Sequence, residues 1–297
     1  MSDSDSSTIV GTALARLALY ARLVRLHQPI GIWLLGWSTL WALWIASRGH
    51  PDEHIFCVFV LGIVLTRSAG CAINDFADRR VDPHVKRTRD RPLAAGLIRA
   101  EEALLVYGML SLMALALVLT LDRLTIVYAA GGAALTLVYP FLKRIFPLPQ
   151  AWLGLAFSWG VPMAFVAVQH QVPTYGWLIF AAGVLWALVY DTEYAMVDRD
   201  DDEKLGVRST AILFGRADRA MIGLFQLGIL MLLWRAGADA ELGTWFHLGL
   251  SAGGALFLYQ QLLIRDRQRD RCFRAFRNNA WFGLLVFLGV ALDYLFR

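Results

Sequence analysis

Runs of about 20 mostly apolar residues recur almost end to end along this chain, and few architectures can absorb them. In order they fall at 29–47, 54–73, 101–121, 124–142, 150–169, 174–192, 219–236, 243–264 and 279–296. Each is long enough to cross the hydrocarbon core of a bilayer as a helix. A helix is also the form in which a segment satisfies its own backbone groups inside lipid. The sequence therefore reads as an all-α, multi-pass membrane protein with about nine transmembrane helices. Only Asp122 and Arg123 part the third run from the fourth, so eight spans with a re-entrant pair is the alternative count. Composition agrees: 58% of the 297 residues are hydrophobic and mean hydropathy is +0.52, above the usual range for a soluble domain.

In such a chain the placement of Lys and Arg matters more than the net charge of +4. With nine spans, all the cations except Arg48, Arg67, Arg123, Arg235 and Arg297 fall on the side of the N-terminus. The positive-inside rule puts that side in the cytoplasm. The opening MSDSDSSTIVG is rich in Ser and Asp and lacks a signal-peptide pattern, so residues 1–25 read as a tail and amphipathic lead-in, and 26–297 as one membrane-embedded domain. Cys57, Cys71 and Cys272 are odd in number, lie in or beside apolar runs, and suggest neither a disulfide framework nor a zinc site. The Trp33, Trp37, Trp41 and Trp44 stripe reads as lipid or interhelix packing.

Chemistry concentrates at the ends of two runs. In RSAGCAINDFADRRVDPHVKRTRDR, Asn74, Asp78 and Asp82 lie within roughly 80° of one another on a helical projection. In DTEYAMVDRDDDEKLG, Asp191, Asp198 and Asp202 fall within roughly 40°. Each acidic face is followed by a basic loop, a likeness that hints at an internal duplication. Carboxylates at membrane depth are costly unless compensated, so they are functional candidates. Hard oxygen donors at helical spacing suit Mg²⁺, which is usually held by one or two carboxylates together with substrate phosphate oxygens. Lys86, Arg87, Arg89, Arg91, Lys204 and Arg208 stand nearby to contact the remaining phosphate oxygens. There is no Gly-rich nucleotide loop, no His pair at metal spacing and no nucleophile elbow. A transporter would spread its ionisable groups through the membrane depth. Here, Arg67 and Asp191 aside, they gather on one side.

These two motifs, together with RLHQPIG, HVKRTRDRPLAAG, LVYPFLKR and the run through GVRSTAILFG, resemble the intramembrane aromatic prenyltransferases. The match is nearest to the 4-hydroxybenzoate polyprenyltransferases of ubiquinone biosynthesis. The resemblance implies helices around a central cavity, a Mg²⁺-diphosphate site capped by cytoplasmic loops, and a lateral opening for the isoprenoid chain. It implies that Asn74, Asp78, Asp198 and Asp202 bind metal, with Asp75 and Asp82 joining them through water or orienting the loop. Lys86, Arg89, Lys143, Lys204 and Arg208 would meet the diphosphate, and Tyr139 would donate a hydrogen bond. Asp191 would orient or deprotonate the acceptor's phenol, and Arg67 or Arg25 would pair its carboxylate. The implied substrates are a polyprenyl diphosphate and 4-hydroxybenzoate, with a naphthoate, a homogentisate or haem as alternative acceptors. Nothing calls for nucleic acid or an obligate protein partner. The implied location is a bacterial inner membrane, since Asp3 and Asp5 do not suit an organellar leader.

Overall fold

The computed structural model describes residues 14–142, 148–205 and 209–297, with the side chains of all of these except 139–142 and 205. Every regular element among them is helical. A first helix, α1, covers residues 14–23. It is followed by α2 (Ile30–Ala46), α3 (Glu53–Asp78), α4 (Ala100–Val118), α5 (Arg123–Leu142), α6 (Pro149–Ser158), α7 (Gly160–Gln169) and α8 (Thr174–Leu205). The chain ends in α9 (Thr210–Phe214), α10 (Asp218–Asp239), α11 (Thr244–Leu263) and α12 (Arg269–Leu295).

Each apolar run of the sequence coincides with helix over most of its length. Six described segments are long and apolar enough to cross a membrane, namely Glu53–Asp78, Ala100–Val118, Pro149–Gln169, Thr174–Lys204, Thr210–Asp239 and Arg269–Leu295. Ile30–Ala46 is a shorter apolar helix, and α5 is apolar over Arg123–Val138, the part whose side chains are described. The 20-residue α11 carries His247, Gln260 and Gln261, which dilute its hydropathy. The protein is thus an all-helical, multi-pass membrane protein in which, among the described residues, six segments meet both criteria by themselves. The fifth run is two helices, broken at Trp159. Pro162 explains the break: it has no N–H for the Ser158 carbonyl, and its ring crowds that group.

Contacts divide the chain into two compact units, Met1–Gly31 with Leu61–Leu117, and Ile32–Val60 with Val118–Arg297. In the first unit, Leu23, Ala72, Ile98 and Ala103 form a buried cluster flanked by Leu19, Tyr20, Leu93, Val106 and Tyr107. Glu102, in the first turn of α4, accepts hydrogen bonds from the Tyr20 hydroxyl (2.8 Å) and the Arg99 backbone N–H (3.2 Å), and also pairs with Arg16. This network anchors α1 to α4.

In the second unit, α8 is the central helix, packed by α6, α7, α9, α10 and α12. Apolar burial drives helices together only weakly in lipid, so close packing and hydrogen bonds have to hold them. Gly249 provides one such approach: a Cβ there would stand 2.6 Å from the Leu285 carbonyl and 2.9 Å from the Gly289 Cα. Trp41 stacks on Trp186 at 5.3 Å, and its indole N–H donates to the Gly283 carbonyl at 2.9 Å. Each such aromatic pair adds about 0.5–1.5 kcal/mol beyond area burial. Gln226, Gln260 and Asn278 form a hydrogen-bonded ladder across α10, α11 and α12. Outward residues such as Leu105, Leu112, Val127 and Leu258 are exposed, as suits a surface solvated by lipid.

Candidate active site

The first acidic stretch closes α3 and continues through a short 3-10 turn, Asp82–His84, which Pro83 starts. Two of its acids are engaged by arginines. Buried Asp75 accepts from Arg25 and, through the same Oδ1, from Arg91 at 3.0 Å. The same Arg91 nitrogen donates to Asp82 Oδ2 at 2.9 Å, and the Thr88 hydroxyl donates to the Asp82 carbonyl at 2.9 Å. Charges therefore alternate along Arg25, Asp75, Arg91 and Asp82. Burial and the neighbouring Arg25 push the Arg91 guanidinium below its ordinary pKa, against the pull of the two carboxylates. The knot pins the 82–91 loop onto the end of α3. It leaves Lys86, Arg87 and Arg89 exposed along the loop.

Arg91, expected with its neighbours to meet phosphate, is the centre of the knot, and Asp75 and Asp82, expected to bind through water or to orient the loop, are engaged with guanidinium groups. Asn74 and Asp78 are half-buried one helical turn apart on α3. Arg25, a candidate partner for an acceptor carboxylate, pairs with Asp75, and its backbone is left-handed at φ 58°. Arg67 donates to Cys71 Sγ at 3.0 Å. Its guanidinium lies over Gly31, where an added Cβ would collide with Nε. Buried Cys71 thus accepts hydrogen bonds from Arg67 and Arg25.

The second stretch lies on α8, which continues past its apolar part to Leu205. Asp198 is buried, Asp191 and Asp202 are half-buried, and Lys204 is exposed. Their neighbours are tied sideways. Arg199 donates to Asp218 at 3.2 Å, and Arg269 reaches Asp200 at 3.1 Å and Asp201 at 3.3 Å. Within the same motif, the Thr192 hydroxyl meets that of Thr210 at 2.8 Å. Glu193 is fully buried and accepts from Asn279 Nδ2 at 2.7 Å, and Asn279 Oδ1 accepts from the Trp186 indole at 2.8 Å. Sequence reasoning passed over Glu193, Asn279 and Asp218. For Glu193 the usable signal was an acid at the end of an apolar segment with no Lys or Arg three or four residues away; Asn279 and Asp218 carried none. The Tyr139 side chain, Lys143 and Arg208 lie outside the described residues.

Among the described residues, no three His, Cys, Asp or Glu side chains cluster to hold a metal by themselves. The donor sets nonetheless fit Mg²⁺. Asn74 with Asp78, and Asp198 with Asp202, each offer two hard oxygen donors one turn apart, and Mg²⁺ keeps waters and substrate phosphate oxygens in its remaining positions.

The profile described as the UbiA prenyltransferase family matches residues 35–288. A curated relative from Chromohalobacter salexigens named 4-hydroxybenzoate octaprenyltransferase is 53% identical over 293 residues, 99% of this chain and 98% of its own. A protein of the same name from Methylococcus capsulatus is 53% identical over 281 residues, 95% of this chain and 96% of its own. Among solved structures, the apo form of a UbiA homologue from Aeropyrum pernix K1 matches with TM-score 0.77 and 25% identity, covering 89% of this chain and 97% of that one. A UbiA homologue from Archaeoglobus fulgidus, bound to GPP and Mg²⁺, matches with TM-score 0.66 and 17% identity over 93% of this chain and 98% of that one, and shares the fold.

Proposed function

The chain belongs to the UbiA prenyltransferase family, and from that premise we propose that it joins a polyprenyl group to 4-hydroxybenzoate at the ring carbon ortho to the hydroxyl. The observation that carries this reading is the near full-length identity to relatives named for that reaction. The paired oxygen donors on α3 and α8 support it, because they supply the chemistry a diphosphate leaving group requires.

Asn74 with Asp78, and Asp198 with Asp202, would each give oxygen donors to Mg²⁺, which would supply positive charge to offset that building on the leaving diphosphate. Lys86 and Arg89 are exposed on a loop anchored by Arg91, so they meet the remaining phosphate oxygens without that loop having to fold first. The allylic carbon–oxygen bond breaks, and its electron pair leaves with diphosphate. The ring carbon ortho to the acceptor's hydroxyl captures the allylic cation, and loss of the ring proton restores aromaticity. Asp191 lies seven residues before Asp198, about 10 Å along the helix, where it orients or deprotonates the phenol. Arg67 pairs the acceptor's carboxylate. The apolar helices keep water from trapping the cation as an alcohol. Octaprenyl diphosphate is the donor to supply first, following the relatives' names. The bacterial inner membrane, with both acidic motifs facing the cytoplasm, is the location that fits the charge placement.

The test is an acceptor panel. Purified protein with a prenyl diphosphate and Mg²⁺ receives 4-hydroxybenzoate, a dihydroxynaphthoate or homogentisate, and products are separated by mass. Prenylated 4-hydroxybenzoate as the main product is expected. Preference for either alternative acceptor overturns the substrate assignment while leaving the reaction class.

A further inference from the structure

The end of α8 carries four acids and an arginine in the five residues 198–202, a run that repels itself along the helix. Neighbouring elements hold it. Arg269 takes Asp200 and Asp201, while Arg199 reaches both the Gly215 carbonyl at 3.5 Å and Asp218 Oδ2 at 3.2 Å. Asp218 opens α10 and is fully buried. It accepts in addition from Arg267 Nε at 2.9 Å, from Arg267 Nη2 at 2.6 Å and from the Arg219 backbone N–H at 2.7 Å. Arg267 also donates to the Arg216 carbonyl at 3.0 Å, and it does so from a left-handed backbone, φ 52°. That conformation is uncommon for a residue other than glycine. One carboxylate thus gathers the end of α8, the 215–217 turn, the start of α10 and the link from α11 to α12.

We propose that Asp218 is a positioning residue for the Asp198 and Asp202 face, acting through Arg199. The inference rests on the metal reading above. Arg199 directly follows Asp198, so its anchorage fixes the rotation and depth of the last turn of α8. A rotation by one residue, about 100°, would carry Asp198 off its face. Both oxygens of Asp218 are fully used by protein donors, so its role is to hold the face rather than to bind the cation.

The test compares Asp218→Asn, and Arg199→Gln as the milder break, with Asp293→Asn. Asp293 is another buried acid of the same unit, clamped by Arg297 and the Gly243 N–H, but it lies at the opposite end of α12 from Arg269. Mn²⁺ binding is titrated by electron paramagnetic resonance in the presence of inorganic diphosphate, and amide exchange is followed over residues 198–204. Asp218→Asn and Arg199→Gln should weaken Mn²⁺ binding by about 10–100-fold, the usual effect of losing a group that orients metal ligands. They should also speed exchange in that segment. Asp293→Asn should leave both unchanged even where it lowers the Tm. Wild-type Mn²⁺ affinity in the two α8 variants, with only a Tm loss like that of Asp293→Asn, would overturn the proposal. Wild-type protein that binds no Mn²⁺ would overturn the metal reading instead, and the exchange data would still decide whether Asp218 orders the end of α8.

Discussion

Replacing Arg91 by Gln attacks the knot at its centre. One Arg91 nitrogen lies 3.0 Å from Asp75 and 2.9 Å from Asp82, and the three side chains are 17%, 2% and 8% exposed. Removing one partner of a buried ion pair strands the other charge and costs about 3–5 kcal/mol. Asp75 keeps Arg25, so the penalty falls mainly on Asp82, and the lower end, about 3 kcal/mol, applies. At ~2–4 °C per kcal/mol for a chain larger than a small domain, Arg91→Gln should lower the Tm by about 6–12 °C. The double variant Arg91→Gln with Asp82→Asn removes the stranded charge and should recover more than half of that loss, because deleting both partners leaves little unsatisfied. Thermal unfolding in detergent, followed by tryptophan fluorescence, reads both. The single variant should also raise the KM for prenyl diphosphate, since the loop bearing Lys86 and Arg89 loses its anchor. A single variant with wild-type Tm and KM, or a double variant no more stable than the single one, would refute the argument.

Asp78→Ala and Asp198→Ala should each abolish turnover while leaving membrane insertion intact, and full activity in either would remove that residue from the metal site. Arg67→Ala should raise the KM for 4-hydroxybenzoate more than that for the prenyl donor; the opposite ranking in steady-state assays would place it at the diphosphate. Glu193 is fully buried with a donor at one oxygen and none at Oε1, so Glu193→Gln should leave the Tm unchanged or raised, and a loss above about 1 kcal/mol would contradict that. Asp122 opens α5 by accepting from the backbone N–H groups of Leu124 (2.9 Å) and Thr125 (3.2 Å) and from the Thr125 hydroxyl. Burial works to raise the Asp122 pKa, but these hydrogen bonds outweigh it and hold the pKa below the usual carboxylate range. The cap is therefore fully present above that range and is lost as pH falls through the lowered value. Amide exchange at 124–126, corrected for intrinsic rates, should show protection at pH 6 that disappears at the acid end, and protection that persists there would contradict the cap.

The apolar runs made the helices legible, because a segment in lipid has almost no other way to satisfy its backbone. Their ends were less so. The sixth apolar run stops at 192, and only the helical projection of Asp191, Asp198 and Asp202 carried the helix further; α8 continues to Leu205, its charged extension tied to distant parts of the chain through Arg199 and Arg269. The last run began at 279 in sequence, whereas α12 starts at Arg269 for the same reason. Hydropathy measures solvation by lipid and has no term for ion pairs between segments far apart in sequence. Pro162 was visible, but its break of the fifth run was missed because the run's mean hydropathy is unaffected by one proline.

The acidic faces were legible for a similar reason: i, i+4 spacing is a local property. Which acids are committed to protein partners is not local. Asp75 pairs with Arg91 and Arg25, 16 and 50 residues away, and Asp82 with the same Arg91, 9 residues away, which no helical spacing announces. Asp218 gave no motif at all, since its partners Arg199 and Arg267 lie 19 and 49 residues away.

The most direct measurement is prenyl transfer to radiolabelled 4-hydroxybenzoate by the purified protein in detergent, run with Mg²⁺ and again with excess EDTA. Labelled, ortho-prenylated product that requires Mg²⁺ is the predicted result. Product formed equally in EDTA, or none from folded protein supplied with Mg²⁺ and octaprenyl diphosphate, would contradict the account.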